Sequence, residues 1–204
     1  MPYGEKFERA LVCAARLHRD QYRKGTRTPY VTHLLAVASI VGENGGTEDE
    51  VVAALLHDAP EDQGGEAILE DIRARFGDQV AHIVDGCTDT YEDPKPPWRE
   101  RKERYLAHLA GAPASVRLVS SADKLHNARA VLSDYRLLGE DLWTRFNGGK
   151  EGTLWYYRAV VDVLSTENES PLVEELDRVV SEMERLALNW GGSSVRRGVR
   201  NGRV

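Results

Sequence analysis

The stretch LLHDAPEDQGG, residues 55–65, brings together a histidine and three carboxylates. These side chains directly follow the apolar run VVAALL, which has the composition of a buried helix. Burying a charge costs several kcal/mol unless the charge is paired or bound to a metal ion. The positions of His57, Asp58, Glu61 and Asp62 therefore predict a cluster that binds an ion or carries out chemistry.

The doublet His57-Asp58 supplies two potential metal ligands. Neighbouring residues on a helix project about 100° apart, so both can reach one ion that lies between them. Metals such as Mn, Fe and Zn accept mixed imidazole and carboxylate ligands and need roughly four to six of them. His33, in PYVTHLLAVASIV, and Asp123, in SVRLVSSADKLHNARAVL, can complete the set. Alone, they suggest a core histidine and an ion-paired aspartate; with the doublet, on three separate helices, they predict a metal centre.

The elements that must position these residues are helices. Apolar residues recur at three- and four-residue spacings over almost the whole chain, and no stretch alternates with period two. The pattern predicts an all-α protein, a compact multi-helix bundle. The predicted helices cover about residues 4–21, 29–43, 47–59, 66–76, 77–88, 97–110, 113–134, 152–166 and 170–189.

Local signals mark several helix ends. Pro29 suits a first-turn position, and Thr47 with Glu50 three residues later fits a capping box. No internal repeat or second domain is visible, so we expect a single domain over residues 1–190. The tail over residues 191–204 is rich in Gly and Arg and poor in apolar residues, and we expect it to be disordered.

Composition and charge exclude several classes of protein. The 204-residue chain is 41% hydrophobic, and its longest apolar runs are far shorter than the roughly 20 residues that span a bilayer. The formal net charge of −6 argues against a general nucleic-acid-binding protein. The N-terminus lacks the apolar run of a signal peptide. Cys13 and Cys87 fit two buried free thiols better than a disulfide or ligand pair, so we expect a reducing, cytoplasmic setting.

Four blocks of the sequence carry a resemblance to a known family. They are RKGTRTPYVTH, AALLHDAPED, FGDQVAHIVDGCTD and ADKLHNAR. In this order they resemble the hydrolase domain of the RelA/SpoT homologues, within the HD superfamily of metal-dependent phosphohydrolases, and most of all the stand-alone small alarmone hydrolases. The resemblance covers about residues 5–165. An HD doublet alone occurs by chance in many helices, whereas four matching blocks in the right order are a specific signal.

The resemblance implies a metal site and a pair of catalytic carboxylates. The ligands of one divalent cation per chain, typically Mn²⁺, would be His33, His57, Asp58 and Asp123. The resemblance also implicates Glu61 and Asp62 in catalysis. Independently, Glu61 follows His57 by four positions, which places both on one helical face if the turn continues through Pro60. A carboxylate beside an activated water can accept its proton, so the pair suits general-base catalysis.

An anionic substrate needs a local basic patch in a protein of net negative charge. The segment HRDQYRKGTR, residues 18–27, offers such a patch just before the His33 helix. Asn127 follows Asp123 by four positions and so lies on the same helical face, where it can hydrogen bond a sugar or base. Together with the resemblance, these features predict the substrate contacts Arg23, Lys24, Lys124, Asn127, Arg129 and Tyr156.

Further residues bear on substrate recognition. The basic run WRERKER, residues 98–104, is interpreted as an amphipathic helix with solvated charges, although Arg101 or Lys102 can also serve as phosphate contacts. His126 is interpreted as structural. Ala130 stands where the family often has a threonine or another polar residue, so we expect weaker discrimination between guanine and adenine.

The sequence thus predicts a Mn²⁺-dependent hydrolase that removes the 3′-pyrophosphate of guanosine tetra- or pentaphosphate, (p)ppGpp, giving GDP or GTP and pyrophosphate. One alternative is another HD phosphohydrolase, acting on adenosine alarmones or other nucleotides. A second is a non-catalytic nucleotide-binding module on the same fold. We expect a small-molecule nucleotide as ligand, no nucleic-acid or membrane partner, and no synthetase or regulatory domain; a homo-oligomer is compatible with the sequence.

Overall fold

The computed structural model describes residues 3–92, 94–166 and 170–189. Within these ranges the chain forms ten α-helices and one 3-10 helix, with a single isolated β-bridge between Tyr22 and Pro29. The all-α prediction is confirmed. The helices are α1 (Glu5–Leu17), α2 (Val31–Glu43), α3 (Glu48–Leu56), α4 (Ala59–Gln63), α5 (Glu66–Phe76), α6 (Asp78–Cys87), α7 (Trp98–Ala110), α8 (Ala114–Leu138), the 3-10 helix (Gly139–Arg145), α9 (Gly149–Ser165) and α10 (Pro171–Asn189).

Helix α3 lies at the centre of the bundle. Residues 51–56 are at most 1% exposed, and a helix that is apolar on every side must be surrounded by other elements. It packs against α1, α2, α6 and α8. The predicted capping box is present at its start: the Thr47 hydroxyl accepts the Glu50 N–H, and the Glu50 carboxylate accepts the Thr47 N–H at 2.7 Å. This central helix delivers the HD doublet to the middle of the protein.

The predicted helix over residues 47–59 is interrupted at the doublet. Helices α3 and α4 are separate because Pro60 has no N–H to donate to the carbonyl four residues earlier. His57 and Asp58 form the turn between them, yet both keep right-handed helical backbone angles. The Asp62 N–H still bonds the Asp58 carbonyl at 3.0 Å. The proline therefore redirects the chain without losing the helical spacing between the doublet and the acidic pair that follows it.

Helix α1 ends before its predicted end, and a tight loop over residues 21–30 follows it. The loop is closed by backbone hydrogen bonds, one of them from the Arg23 N–H to the Thr28 carbonyl at 2.9 Å. At its tip Gly25 has a φ of +72°, and a Cβ there would lie 2.8 Å from the Arg145 side chain. Both the left-handed backbone and this close approach require glycine. The loop is thereby pressed against the 3-10 helix.

Helix α8 is longer than predicted and continues to Leu138, where Gly139 ends it with a φ of +60°. The 3-10 helix that follows was not predicted, since GEDLWTR carries no 3.6-residue apolar pattern. Its Leu142 and Trp143 are nevertheless buried. Tertiary packing, and not a local signal, shapes this segment.

The cysteines and the lengths of the helices bear on the class of protein predicted from composition. Cys13 and Cys87 are both free thiols, as predicted. None of the helices in the described ranges combines the length and apolar character that a membrane crossing requires. The predicted disordered tail over residues 191–204 lies outside the described residues.

Candidate metal centre and active site

The four predicted metal ligands converge inside the bundle. His33 comes from the first turn of α2, His57 and Asp58 from the turn after α3, and Asp123 from the middle of α8. The His57 Nε2 atom lies 3.1 Å from Asp58 Oδ2 and 3.7 Å from Asp123 Oδ1. The His33 Nε2 atom lies 3.4 Å and 3.2 Å from the same two oxygens. Ligand atoms of His33, His57 and Asp58 all lie within 4.8 Å of one another.

The imidazole of His57 is oriented as a metal ligand. Its Nδ1 lies 2.8 Å from the Ala54 carbonyl, which can only accept, so Nδ1 carries the proton. Nε2 is therefore the nitrogen that faces the cluster, where either a proton or a metal cation can occupy its lone pair. This Nε2 is buried, and although two carboxylate oxygens lie 3.1 Å and 3.7 Å away, it makes no well-oriented hydrogen bond within the described ranges. A buried polar atom without a well-oriented partner calls for an explanation, and a bound cation supplies one.

The imidazole of His33 is oriented in the same way by a second histidine. His33 Nδ1 lies 2.7 Å from His126 Nδ1, while His33 Nε2 is buried, faces the two carboxylates and makes no well-oriented hydrogen bond among the described residues. Burial and the neighbouring His33 lower the pKa of His126 to about 4, so His126 is neutral and can accept the proton of His33 Nδ1. His126, interpreted from sequence as structural, thus points the lone pair of His33 at the cluster. Two imidazoles and two carboxylates are a donor set that suits Mn, Fe or Zn.

Electrostatics also favours a cation here. Burial lowers the pKa of His57, but the charges of Asp58 and Asp123 outweigh burial and hold that pKa well above its ordinary value. Burial raises the pKa of Asp58, but His57 and His33 bring it well below its ordinary value. The pKa of Asp123 is lowered likewise, against burial, chiefly by Lys124. Two ionised carboxylates in a buried site attract positive charge strongly.

A surrounding layer of hydrogen bonds holds the carboxylates of Asp58 and Asp123. The Tyr30 hydroxyl donates to Asp58 Oδ2 at 2.7 Å. Lys124 Nζ donates to Asp123 Oδ2 and Asn127 Nδ2 to Asp123 Oδ1, each at 2.5 Å. Such contacts orient ligands and are part of a metal site. Lys124, predicted as a substrate contact, is thus committed to Asp123 inside the protein.

The acidic pair on α4 lies next to the cluster. Lys95 Nζ donates to Glu61 Oε1 at 2.8 Å, and Gln21 Nε2 donates to Asp62 Oδ2 at 2.7 Å. Partial desolvation and the charge of Asp58 raise the pKa of Asp62, although its side chain still reaches solvent. A carboxylate with a raised pKa beside such a cluster is suited to proton transfer. The contacts that Lys95 and Gln21 make with this pair were not predicted from the sequence. Lys95 lies in a loop that is marked in the sequence only by its prolines.

A cleft of about 500 Å³, here called the long cleft, opens beside the cluster. Arg23 is part of its lining: its Nη2 donates to Asn127 Oδ1 at 2.6 Å, and its guanidinium lies 5.7 Å from the centroid of the Tyr30 ring. Ala130 forms part of the wall, as does Arg145, which sequence analysis missed. The lining of the long cleft includes Arg23, Lys24, Asn127, Ala130, Asp134 and Arg145.

A second cleft of about 260 Å³, here called the basic cleft, shares Lys24 with the first. Its other residues include Glu61, Trp98, Arg101, Lys102 and Tyr156. The interpretation of Arg101 and Lys102 as solvated charges is wrong. Arg101 is 8% exposed, and both side chains bond the carboxylate of Asp89, Lys102 at 3.1 Å. Asp89 ends a sequence block that resembled the family, but its two partners lie on α7.

The remaining predicted substrate contacts lie in different places. Tyr156 is buried in the wall of the basic cleft, with Lys102 Nζ 5.0 Å from its ring centroid. Its hydroxyl has no hydrogen-bond partner within the described ranges. Arg129 instead pairs with Glu175 of α10 and is absent from the described residues that line the two clefts. The structure therefore brings Arg23, Lys24, Asn127 and Tyr156 to the clefts and places Lys124 and Arg129 elsewhere.

Comparisons with known proteins agree with this geometry. The HD domain family matches residues 10–154. A Xenopus tropicalis protein named guanosine-3′,5′-bis(diphosphate) 3′-pyrophosphohydrolase MESH1 is 41% identical over 119 residues, which cover 57% of this chain and 64% of that protein. A GTP pyrophosphokinase of Streptomyces coelicolor is 40% identical over 128 residues, covering 62% of this chain and 15% of that protein. The chain therefore spans less than two thirds of the length of either relative.

A solved structure is also similar. It is described as a metazoan orthologue of SpoT that hydrolyses ppGpp and plays a role in starvation responses. The two structures superpose with a TM-score of 0.73 at 29% sequence identity, over 90% of this chain and 98% of the other. The likeness thus extends over nearly the whole bundle.

Proposed function

Because this chain belongs to the HD domain family, we propose that it is a metal-dependent hydrolase of (p)ppGpp. It removes the 3′-pyrophosphate and yields GDP or GTP and pyrophosphate. The observation that carries this proposal is the convergence of two imidazoles and two carboxylates beside two clefts that share a lysine. The Xenopus relative is named for this reaction, which supports the choice of substrate.

We assign one divalent cation to each chain, with Mn²⁺ as the proposed metal. Its ligands are His33, His57, Asp58 and Asp123. When bound, such a cation supplies Lewis-acid activation of water and of the phosphate group. The ligand assignment is supported by the two histidine Nε2 atoms, which are buried, face the same two carboxylates and make no well-oriented hydrogen bond among the described residues.

The carboxylates of Asp62 and Glu61 accept and orient the proton of the attacking water. Gln21 donates a hydrogen bond to Asp62 Oδ2 and Lys95 donates one to Glu61 Oε1, so the other oxygen of each carboxylate can contact the water. The raised pKa of Asp62 makes it a better acceptor for a proton from that water than an ordinary aspartate. Glu61, held on the same short helix, orients the water.

We assign the leaving pyrophosphate to the basic cleft and the nucleoside to the long cleft. In the basic cleft, Lys24, Arg101 and Lys102 bind the pyrophosphate that leaves, and the single charge of Asp89 offsets only part of theirs. In the long cleft, Arg23 faces the nucleoside, where a guanidinium can clamp a phosphate or stack on a base. A local cationic patch of this kind draws an anionic nucleotide to a protein whose net charge is −6.

Product analysis tests the reaction. The purified protein, incubated with Mn²⁺ and guanosine 3′,5′-bis(diphosphate), should release pyrophosphate and GDP in equal amounts, measured by ion chromatography. The same protein with excess chelator is the control and should release neither. Orthophosphate as the product would indicate a different HD phosphohydrolase, and tight binding without turnover would indicate a binding module.

Base discrimination is expected to be weak. At Ala130 the long cleft lacks the polar side chain that the family often has at this position. Asp134 and Arg145, which also line the cleft, form an ion pair with each other at 3.2 Å and are therefore less available to hydrogen bond a base. A pocket that fully hydrogen bonds its ligand discriminates by about 10⁴-fold or more. We therefore expect the kcat/KM values for the guanosine and adenosine 3′,5′-bis(diphosphates) to differ by less than about 10²-fold. Ala130→Thr should increase the ratio; a wild-type ratio above about 10⁴-fold would contradict the expectation.

A further inference from the structure

His18 is a buried histidine to which the proposed reaction assigns no role. It directly follows α1 and is only 2% exposed. Its Nε2 is buried and unpaired within the described ranges. Polar groups are rarely buried without a structural or functional reason.

One contact of His18 leads to the acidic pair. Its Nδ1 lies 2.6 Å from Gln21 Oε1, and Gln21 Nε2 donates to Asp62 Oδ2 at 2.7 Å. The same Gln21 oxygen accepts a hydrogen bond from Gln63 Nε2 at 2.7 Å. Helix α4, which carries both Asp62 and Gln63, is thus tied to the segment after α1 through one amide.

Charge determines the direction of each bond in this relay. An ionised Asp62 can only accept, so Gln21 must turn its NH₂ group toward Asp62 and its oxygen toward His18. That oxygen can also only accept, so His18 Nδ1 must carry a proton and donate it. The Gln21 amide is therefore held from both ends, by Asp62 and by the Nδ1–H of His18.

A second contact of His18 leads to the metal centre. Its ring stacks on Tyr30, with the ring centroids 5.2 Å apart and the planes inclined by 18°. The Tyr30 hydroxyl donates to Asp58 Oδ2 at 2.7 Å. Stacking restrains the plane of the tyrosine ring and hence the position of the hydroxyl that orients this ligand.

We propose that His18 is a positioning residue, which holds Asp62 through Gln21 and Asp58 through Tyr30. It thereby fixes the position of the acidic pair relative to the metal centre. The inference rests on the proposed function. His18 is not among the described residues that line the two clefts, and its side chain contacts Gln21, Tyr30 and, at 3.5 Å, Gln63 Nε2, so its effect is exerted through these neighbours. Displacing a reacting group by about 1 Å can cost about 10²-fold in rate, which makes such support consequential.

Two substitutions of His18 separate these two contacts. His18→Phe keeps a ring for stacking on Tyr30 but loses the donor to Gln21. We expect its kcat to fall roughly tenfold, with KM little changed and the full equivalent of metal retained. His18→Asn keeps a donor close to the position of Nδ1 but loses the stacking ring. With excess metal its kcat should stay within about twofold of the unsubstituted protein, while its metal affinity falls several-fold.

Gln21→Leu cuts the same connection at a half-buried position and tests the relay if His18→Phe does not fold. Because the two residues act in series, the double variant should be no slower than the slower single variant. Multiplying effects, or an unchanged kcat in His18→Phe, would overturn the inference.

Nitrogen NMR supplies a readout that needs no turnover. In the metal-loaded protein, the ¹⁵N shifts of the His18 ring should show a protonated Nδ1, and Gln21→Leu should release this preference. A bare Nδ1 in the unsubstituted protein would contradict the relay. If the protein hydrolyses none of the nucleotides, the proposed function fails, and this spectrum still tests the arrangement by itself.

Discussion

The Asp123→Ala protein should lose its bound divalent cation and, with it, hydrolysis, while the bundle stays helical. Asp123 is buried in the middle of α8, with its Oδ1 3.2 Å and 3.7 Å from the Nε2 atoms of His33 and His57. Its removal takes away a ligand and leaves the ammonium of Lys124, now unpaired, beside the site. A cation is then both less well held and repelled.

We expect turnover by Asp123→Ala to fall roughly 10³-fold or more, because a metal ion contributes several kcal/mol of transition-state stabilisation. Metal is measured by elemental analysis after dialysis, and helix content by circular dichroism. The matched control is Asp162→Ala, the same change at an exposed position of α9, which should keep a full equivalent of metal. Retention of that equivalent by Asp123→Ala would show that the ligand assignment is wrong.

The Glu61→Gln protein should behave differently, keeping its metal while turnover falls by roughly 10²-fold, the scale of general acid–base catalysis. Glutamine preserves the shape of the side chain and an oxygen that can still accept from Lys95 Nζ. The variant therefore removes the charge and little else. Metal content and kcat measured on one preparation separate this outcome from loss of a ligand.

Lys95→Met is the matched control for Glu61→Gln, because it removes the same ion pair from the other side. The lysine side chain is 45% exposed, and a pair at the surface contributes little to stability. We expect a much smaller loss of turnover than for Glu61→Gln. Near-normal turnover by Glu61→Gln would mean that Glu61 is only a charge at a solvated helix end.

Most of the helices and the chemical core of the site could be predicted because their signals are local. The apolar spacing of 3.6 residues identifies helices, and the capping box of Thr47 and Glu50 marks the start of α3. The buried doublet was predictable because charges after an apolar run need a partner. Pro60 was recognised as an interruption, but the separation of α3 from α4 follows from the missing N–H in the folded chain.

The contact partners of the basic residues could not be predicted from local sequence signals. Lys124 and Asn127 lie on the same helix as Asp123, and whether they meet substrate or ligand depends on what packs beside α8. Arg129 faces α10, where it pairs with Glu175. Periodicity shows which face of a helix is apolar, but it does not show which neighbour covers the polar face.

The sequence by itself therefore determined that the protein is all-α, and it predicted four side chains, the proposed metal ligands, that lie close together in the fold, since helix periodicity and the cost of burying charge are local properties. Only the tertiary structure decided how those side chains are held. His33 contacts His126, 93 positions away in the chain, and Gln21 contacts Asp62, 41 positions away. Asp89 accepts hydrogen bonds from Arg101 and Lys102, which the sequence alone predicted to be solvated. These contacts join residues far apart in the chain, and they form only when the helices pack together.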